Sequence, residues 1–341
     1  MINIPILEVE DFVRRSEHTL LIDVRSPKEY ERAHMPGAIN IPLFNDEERA
    51  LVGTLYTHKG KKPAVLKGLD IAGPKMTGFV EAAGKLAGDN KEILLYCWRG
   101  GMRSKSMAWL LSTAGYQPFL LHDGYKAYRA YTRAIFSRPK KIRVLGGMTG
   151  SGKTAVLLEL KAMGQQMIDL EGIANHRGSV FGALGMEAQP RTEHFENLLA
   201  QEWLAVDPER ILWLEDESRK IGNITLPLAV FEQMKQSPVT MMDMPFDQRV
   251  ARLVTEYGSF HSDILKTLIT QITQRLGHEN AGKAKTALDE RNIQRSIEIV
   301  LRYYDKAYRL QLAKRQRETV EWTDYAGLTA KDVAEKLIRD L

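Results

Sequence analysis

Only one cysteine, Cys97, occurs among the 341 residues. That excludes an internal disulfide and every zinc or iron–sulfur site built from several cysteines. No apolar run approaches the ~18 residues of a membrane span, and the opening Met1-Ile2-Asn3-Ile4-Pro5 has neither the basic stretch nor the apolar core of a secretion signal. The expectation is a cytoplasmic protein with no membrane partner. An excess of one charge is also missing, since 48 Lys and Arg against 43 Asp and Glu leave only +5, a balance compatible with nucleic acid that does not argue for it. The distribution is more informative: residues 187–243 carry 11 acids against 5 bases, and residues 249–317 carry 14 bases against 7 acids. A basic surface beside an acidic one follows.

Internal repeats and low-complexity tracts are absent as well, and at roughly 100–200 residues per domain the length fits two domains. Short apolar runs at 20–24, 38–42, 93–96 and 119–121 alternate with helical patterns at 80–86 and 105–113, the mark of a parallel α/β sheet. Ser137-Arg138-Pro139-Lys140-Lys141 is polar, holds a proline and precedes a new strand at 142–145, so it reads as a linker. The alternation restarts with strands near 142–145, 166–170, 211–214 and 239–242, and helical spacing follows, as in Ile293, Ile297, Val300, Leu301 and Tyr304. The expected domains are therefore 1–137, a linker at 138–141, an α/β domain at 142–247 and its helical extension at 248–341.

Cys97 ends the apolar run Ile93-Leu94-Leu95-Tyr96 and opens Cys97-Trp98-Arg99-Gly100-Gly101-Met102-Arg103-Ser104 before a helical pattern. A thiol at a strand end, with a glycine loop running into a helix N-terminus, sits where backbone N–H groups converge. With Arg99 and Arg103 nearby, such a loop favours thiolate and binds an anion. Cys97, Arg99 and Arg103 are the catalytic candidates, and Trp98 is a candidate for stacking on a base.

A second anion loop lies at Gly147-Met148-Thr149-Gly150-Ser151-Gly152-Lys153-Thr154, which satisfies G-x-x-x-x-G-K-[ST] between a strand and a helix. Gly147, Gly150, Ser151 and Gly152 let the backbone wrap a diphosphate, Lys153 neutralises it, and the Thr154 hydroxyl can join a Mg²⁺ shell. The loop specifies a diphosphate and not what is attached to it, and no adenine-binding motif accompanies it. Glu215-Asp216-Glu217-Ser218-Arg219 ends one strand and Asp169-Leu170-Glu171-Gly172 ends another, which places Asp169, Glu171, Glu215, Glu217 and Arg219 at the crevice of an α/β sheet. His176 and Arg177 follow nearby and are candidates for contact with nucleic acid. For nucleic acid, Arg291, Arg295, Arg302, Lys306, Arg309, Lys314, Arg315 and Arg317 are candidates, several at spacings that share a helical face. The alternative reading of that face is a solvated surface with ion pairs to Glu298 and Asp305.

Leu21-Ile22-Asp23-Val24-Arg25-Ser26-Pro27-Lys28-Glu29-Tyr30 and His34-Met35-Pro36-Gly37-Ala38-Ile39-Asn40-Ile41-Pro42 resemble the two structural signatures of rhodanese domains, which carry a chalcogen on the loop cysteine. The Cys-x5-Arg loop is one residue longer than the common sulfur-carrying one and is similar to the cradle of phosphatases. Tyr96, however, stands where those enzymes place a histidine. In order and spacing, the two loops, Asp169-Leu170-Glu171-Gly172 and Glu215-Asp216-Glu217-Ser218-Arg219 resemble the bacterial tRNA 2-selenouridine synthase family over essentially the whole chain. That resemblance implies an α/β chain with a rhodanese-like parallel-sheet domain, then a P-loop NTPase-like α/β domain with a C-terminal helical extension.

It further implies replacement of the wobble 2-thio sulfur, in tRNAs for Lys, Glu and Gln, by selenium from selenophosphate. An S-geranyl intermediate made from geranyl diphosphate precedes that step. No tightly bound cofactor is expected, Mg²⁺ could sit at the P-loop, and an enzyme that produces selenophosphate is a candidate partner. Three alternatives remain open: a rhodanese fused to an ATP-dependent kinase, a Cys-x5-Arg phosphatase, and a sulfur relay without chemistry of its own on RNA.

Overall fold

The computed structural model describes residues 3–312 and 320–340. The chain divides into two compact units, Met1–Ile135 with Glu196–Gln201, and Phe136–Phe195 with Glu202–Leu341. Among the described residues no helix is long and apolar enough to cross a membrane.

The first unit is built on five parallel strands, β1 (Ile6–Leu7), β2 (Leu20–Asp23), β3 (Ile39–Asn40), β4 (Glu92–Tyr96) and β5 (Gln117–Leu121), in the order β1-β5-β4-β2-β3. Ile93, Leu94, Leu95 and Tyr96 are all fully buried. Helices cover both faces of the central strand, which explains an uninterrupted apolar run in place of alternation. Just past β2, the Arg25 guanidinium grips the buried Asp23 carboxylate at 2.6 and 3.0 Å and donates to the Ala33 carbonyl at 2.7 Å. It also lies 3.9 Å from the centre of the Tyr125 ring. The long connection from β3 to β4 holds the helices Asp46–Lys59, Lys61–Ala72 and Met76–Ala87.

In the second unit, β6 (Lys141–Gly147), β7 (Gln166–Ile168), β8 (Ile211–Glu215), β11 (Val239–Asp243) and β12 (Val320–Asp324) form a parallel sheet in the order β12-β11-β6-β8-β7. A small antiparallel hairpin, β9 (Lys220–Ile221) and β10 (Ile224–Thr225), stands apart from it. The expected helical extension runs from Phe246–Tyr257 to Ile293–Leu312 but does not continue to residue 341. The chain instead returns as β12, which pairs with β11 from Val239↔Val320 to Asp243↔Asp324, and ends in the helix Ala330–Arg339. Val333, Ala334 and Leu337 of that helix share a core with Val156, Leu157 and Leu160 of the helix Lys153–Ala162. Strand β12 lies at the sheet edge and is largely exposed, so Val320-Glu321-Trp322-Thr323-Asp324 carries no apolar run to announce it.

A buried arginine ties the helical region to the phosphate loop. Arg249, in the helix Phe246–Tyr257, meets both oxygens of Asp305 at 2.8 and 2.7 Å and donates to the Thr149 carbonyl at 3.1 Å. Removing one partner of such a pair leaves a desolvated charge. Arg249→Met is expected to cost about 3 kcal/mol of unfolding free energy, and Arg249→Met combined with Asp305→Leu to recover most of that loss, as read by denaturant melts of both variants.

Candidate functional site

In the first unit the geometry begins with a glycine that the sequence motifs do not point to. Gly124 adopts φ +58° at the start of the helix Gly124–Ile135, and a Cβ there would collide with the Cys97 carbonyl oxygen and the Gly100 nitrogen. Only glycine lets this turn close on the cysteine loop. Tyr125 and Lys126 then donate their amides to the Cys97 and Trp98 carbonyls at 2.8 and 3.0 Å. The loop is fastened by its carbonyls. The amides of Trp98, Arg99, Gly100 and Gly101 donate to no acceptor among the described residues, which is the polarity an anion cradle requires.

Cys97 is 2% exposed, and its Sγ lies 3.2 Å from the Ser104 hydroxyl at the head of the helix Met102–Thr113. Arg103 does not face the loop as a free cation: its guanidinium donates to Glu29 at 2.6 Å. Burial works against ionisation of Glu29, but the hydrogen bond and charge of Arg103, with the Ser26 amide and Arg49, prevail and hold its carboxyl below the usual range. Arg103 thus anchors the loop to the first signature, and Arg99, which is exposed, is the remaining positive charge of the loop. Trp98 is 38% exposed, with its ring 5.7 Å from that of Tyr125.

In the second unit the P-loop joins β6 to the helix Lys153–Ala162. Lys153 Nζ bonds the Gly147 carbonyl at 3.1 Å, and Ser151 Oγ is buried without any hydrogen-bond partner, a polar atom left for a ligand oxygen. The amides of Met148, Thr149, Gly150 and Gly152 also donate to no acceptor among the described residues. Because β8 pairs with β6 up to Leu145↔Glu215, the Glu215 carboxylate arrives beside the loop. The Thr154 hydroxyl donates to Glu215 at 2.9 Å and to Glu171 at 3.3 Å. Asp169 accepts from the Gly172 amide at 2.7 Å and so caps the short helix Leu170–Ile173. Tyr308 accepts from the Gly147 amide at 3.3 Å and donates to Asp216 at 2.5 Å.

These groups surround a cleft of about 650 Å³. Asp169, Glu171, Glu217 and Arg177 line it together with the loop, and Arg177 pairs with Glu256 at 2.6 Å. Arg252 and Arg275 line it too, and a Cβ on Gly152 would fall on the Arg252 guanidinium. Neither arginine lies in a recognisable motif; the only advance signal is the basic excess of residues 249–317. Met186, Leu253, Tyr257 and Tyr304 give the lining its apolar part. Arg219, expected at the crevice, is exposed and is not among the lining residues.

His176 is buried, with Nδ1 unpartnered and its basicity lowered by desolvation, so it presents no surface to nucleic acid. Of the basic candidates, Arg291 precedes the helix Ile293–Leu312 in a left-handed turn. Arg295, Arg302, Lys306 and Arg309 lie on the helix and are exposed, Arg295 pairing with Glu298 at 3.1 Å and Arg302 covering the Phe246 ring at 4.7 Å. Asp305 faces the other way, to Arg249. Lys314, Arg315 and Arg317 lie outside the described residues.

Two family models match the chain: a rhodanese-like domain over residues 8–131, and the tRNA 2-selenouridine synthase AAA domain over residues 140–335. A protein named tRNA 2-selenouridine synthase from Cupriavidus necator is 35% identical over 91% of this chain and 92% of its own length. A protein of the same name from Pseudomonas fluorescens is 36% identical over 86% and 89%. The chain belongs to the tRNA 2-selenouridine synthase family. In this family member the two loops that carry the resemblance are the two that leave their amides open.

The carboxylates beside the P-loop give the cleft a titration of its own. Burial, then the charges of Glu171 and Asp169, push the Glu215 carboxyl up to about 8, against opposing effects of Lys153 and Thr154. Burial also raises Glu171 and Glu217, which share a hydrogen bond that needs a proton. The folded protein therefore keeps protons that the unfolded chain releases above its ordinary 4.5. Unfolding free energy should fall as pH rises from about 5 to 8, by up to ~1.4 kcal/mol per pH unit for each proton held. Glu215→Gln should flatten that slope in melts recorded across the interval; an unchanged slope would show that Glu215 ionises freely in the fold.

Proposed function

We propose that this protein is a tRNA-modifying transferase that converts wobble 2-thiouridine into 2-selenouridine in tRNAs for Lys, Glu and Gln. Geranyl diphosphate alkylates the sulfur first, and selenium from selenophosphate then displaces the geranylthio group. What carries this reading is the presence of two open anion cradles of different chemistry in one chain: a cysteine loop sized for a tetrahedral oxyanion, and a P-loop whose cleft has an aromatic and aliphatic wall. The location that fits a tRNA enzyme of this kind is the cytoplasm, with a selenophosphate-producing enzyme as its supplier.

The first step belongs to the P-loop. The wobble sulfur attacks the first carbon of the geranyl chain, the carbon–oxygen bond breaks, and its electron pair leaves with diphosphate. Lys153 and the open amides of Met148, Thr149, Gly150 and Gly152 stabilise that charge where it develops, while Leu253, Met186, Tyr257 and Tyr304 shelter the chain. Among the described residues no three His, Cys, Asp or Glu side chains are grouped to hold a metal on their own, but Mg²⁺ needs only one or two carboxylates besides substrate phosphates. Thr154 with Glu171 or Glu215 would hold it there, and it would supply further neutralisation of the diphosphate.

The second step belongs to the Cys97 loop. An S-alkyl group leaves C2 of the base more readily than the original thiocarbonyl sulfur, and Arg99 with the loop amides holds the selenium-bearing anion. Arg295, Arg302, Lys306 and Arg309 would add salt-dependent attraction for the tRNA backbone.

Cys97→Ser should abolish 2-selenouridine while S-geranyl-tRNA still accumulates, as read by mass spectrometry of digested tRNA; retained selenation would remove Cys97 from the reaction. Lys153→Ala should lower geranyl transfer by about 100-fold or more, in line with loss of a transition-state charge partner. If wild type is stabilised against heat by ATP but not by geranyl diphosphate, the fused-kinase reading replaces this one.

A further inference from the structure

A large cavity of the first unit has no part in the scheme above. It encloses about 940 Å³ between the helices Asp46–Lys59 and Lys61–Ala72 on one side and Met102–Thr113 on the other. Its floor is apolar: Leu43, Phe44, Phe79 and Met107 line it, and all four belong to the same core as Cys97. Its walls expose Tyr56, Leu69, Met102 and Trp109 to 55, 56, 48 and 50%. Large apolar side chains grouped in this way around a concavity mark a site for an apolar ligand.

Two observations restrict the occupant. The pocket lies against the helix that the cysteine loop enters, because Met102 and Arg103, the first residues after Gly101, are among its lining. Its lining carries Arg49, Arg103 and Lys105 and no acidic residue; Arg49 and Arg103 share the single carboxylate of Glu29, so the excess there is positive. An occupant that is apolar within the pocket, polyanionic at the rim and reactive beside Cys97 fits all three features. A protein helix or a second copy of the chain would satisfy the first feature only.

We propose that this pocket receives the geranyl chain of S-geranyl-tRNA during the selenium step, with the tRNA phosphates at the rim and C2 of the base at the Cys97 loop. The inference rests on the two-step reading given above. In the step itself, selenium of selenophosphate forms the bond to C2 and the C2–S bond breaks. Its electron pair leaves with geranylthiolate, which takes a proton from solvent, and water cleaves the selenium–phosphorus bond to release phosphate. The pocket holds the isoprenoid chain before and after that displacement, so it selects the alkylated tRNA over the unmodified one and gives the leaving group an apolar refuge. Only the length of the alkyl group should matter to it.

The test supplies wild type and the Leu69→Arg and Trp109→Arg variants with selenophosphate and tRNA already carrying S-geranyl- or S-methyl-2-thiouridine, which bypasses the P-loop. Both substituted positions are half exposed, and matching melting temperatures check the fold. Wild type should favour geranyl over methyl in kcat/KM by about 100-fold or more, given the carbons buried. Each variant should bring that ratio at least tenfold closer to one and should weaken geraniol binding in calorimetry. An unchanged ratio with unchanged geraniol affinity overturns the pocket assignment. So does a dimer that forms in wild type and is lost in the variants, which would make the pocket an interface. Failure of wild type to selenate S-geranyl-tRNA while it selenates 2-thiouridine directly would overturn the two-step reading itself, a result distinct from either.

Discussion

Behind each anion loop stands a buried arginine–aspartate pair, and the loops hold their shape because these pairs cannot relax. Asp23 and Arg25 are both almost completely buried, so the guanidinium has nowhere to find water and is committed to the carboxylate, the Ala33 carbonyl and the Tyr125 ring. Tyr125 in turn follows Gly124, whose close approach fixes the carbonyl side of the cysteine loop. Arg249 plays the corresponding part in the second unit, joining Asp305 to the Thr149 carbonyl. Neither pair need add net stability over an apolar replacement of the same volume. Arg249 draws the Thr149 carbonyl aside directly, whereas Arg25 acts through Tyr125, whose ring it holds and whose amide takes the Cys97 carbonyl.

The cleft of the second unit balances opposite demands. Three buried glutamates crowd the loop, Lys153 stands close enough to oppose their proton uptake, and Arg177, Arg252 and Arg275 line the same cleft. Without ligand the carboxylates lower their mutual repulsion by keeping protons. A divalent ion beside Thr154 would instead favour the carboxylates in their charged form. The protonation state of the cleft is thus a record of what occupies it.

Much of this architecture was legible because it depends on neighbours in the chain. Apolar runs without alternation marked β2, β4, β6 and β8, and glycine-rich spacing marked both loops in their strand–loop–helix context. What stayed hidden depends on residues far apart. Glu29 finds Arg103 across 74 positions and Arg249 finds Asp305 across 56, and no periodicity reports such pairs. Gly124 reads as an ordinary turn glycine until the cysteine loop is folded against it. Arg252 and Arg275 are two among the 14 bases of residues 249–317, and only the path of the helices brings them to the cleft. The edge strand β12 was missed for a different reason: half-exposed strands have mixed composition, and the helical pattern before it invited continuation.

That strand bears on how the protein is made. The sheet of the first unit is complete once residue 121 has been synthesised, whereas β6, the central strand that launches the P-loop, lies one strand away from an edge contributed by residues 320–324. A nascent chain emerging from the ribosome therefore has its phosphate loop in hand for about 170 residues before the sheet that supports it can close, since chains grow from the N-terminus. During that interval the flank of β11 is an open edge. A stall in the helices that follow β11 would leave open a strand edge that β12 covers in the finished protein.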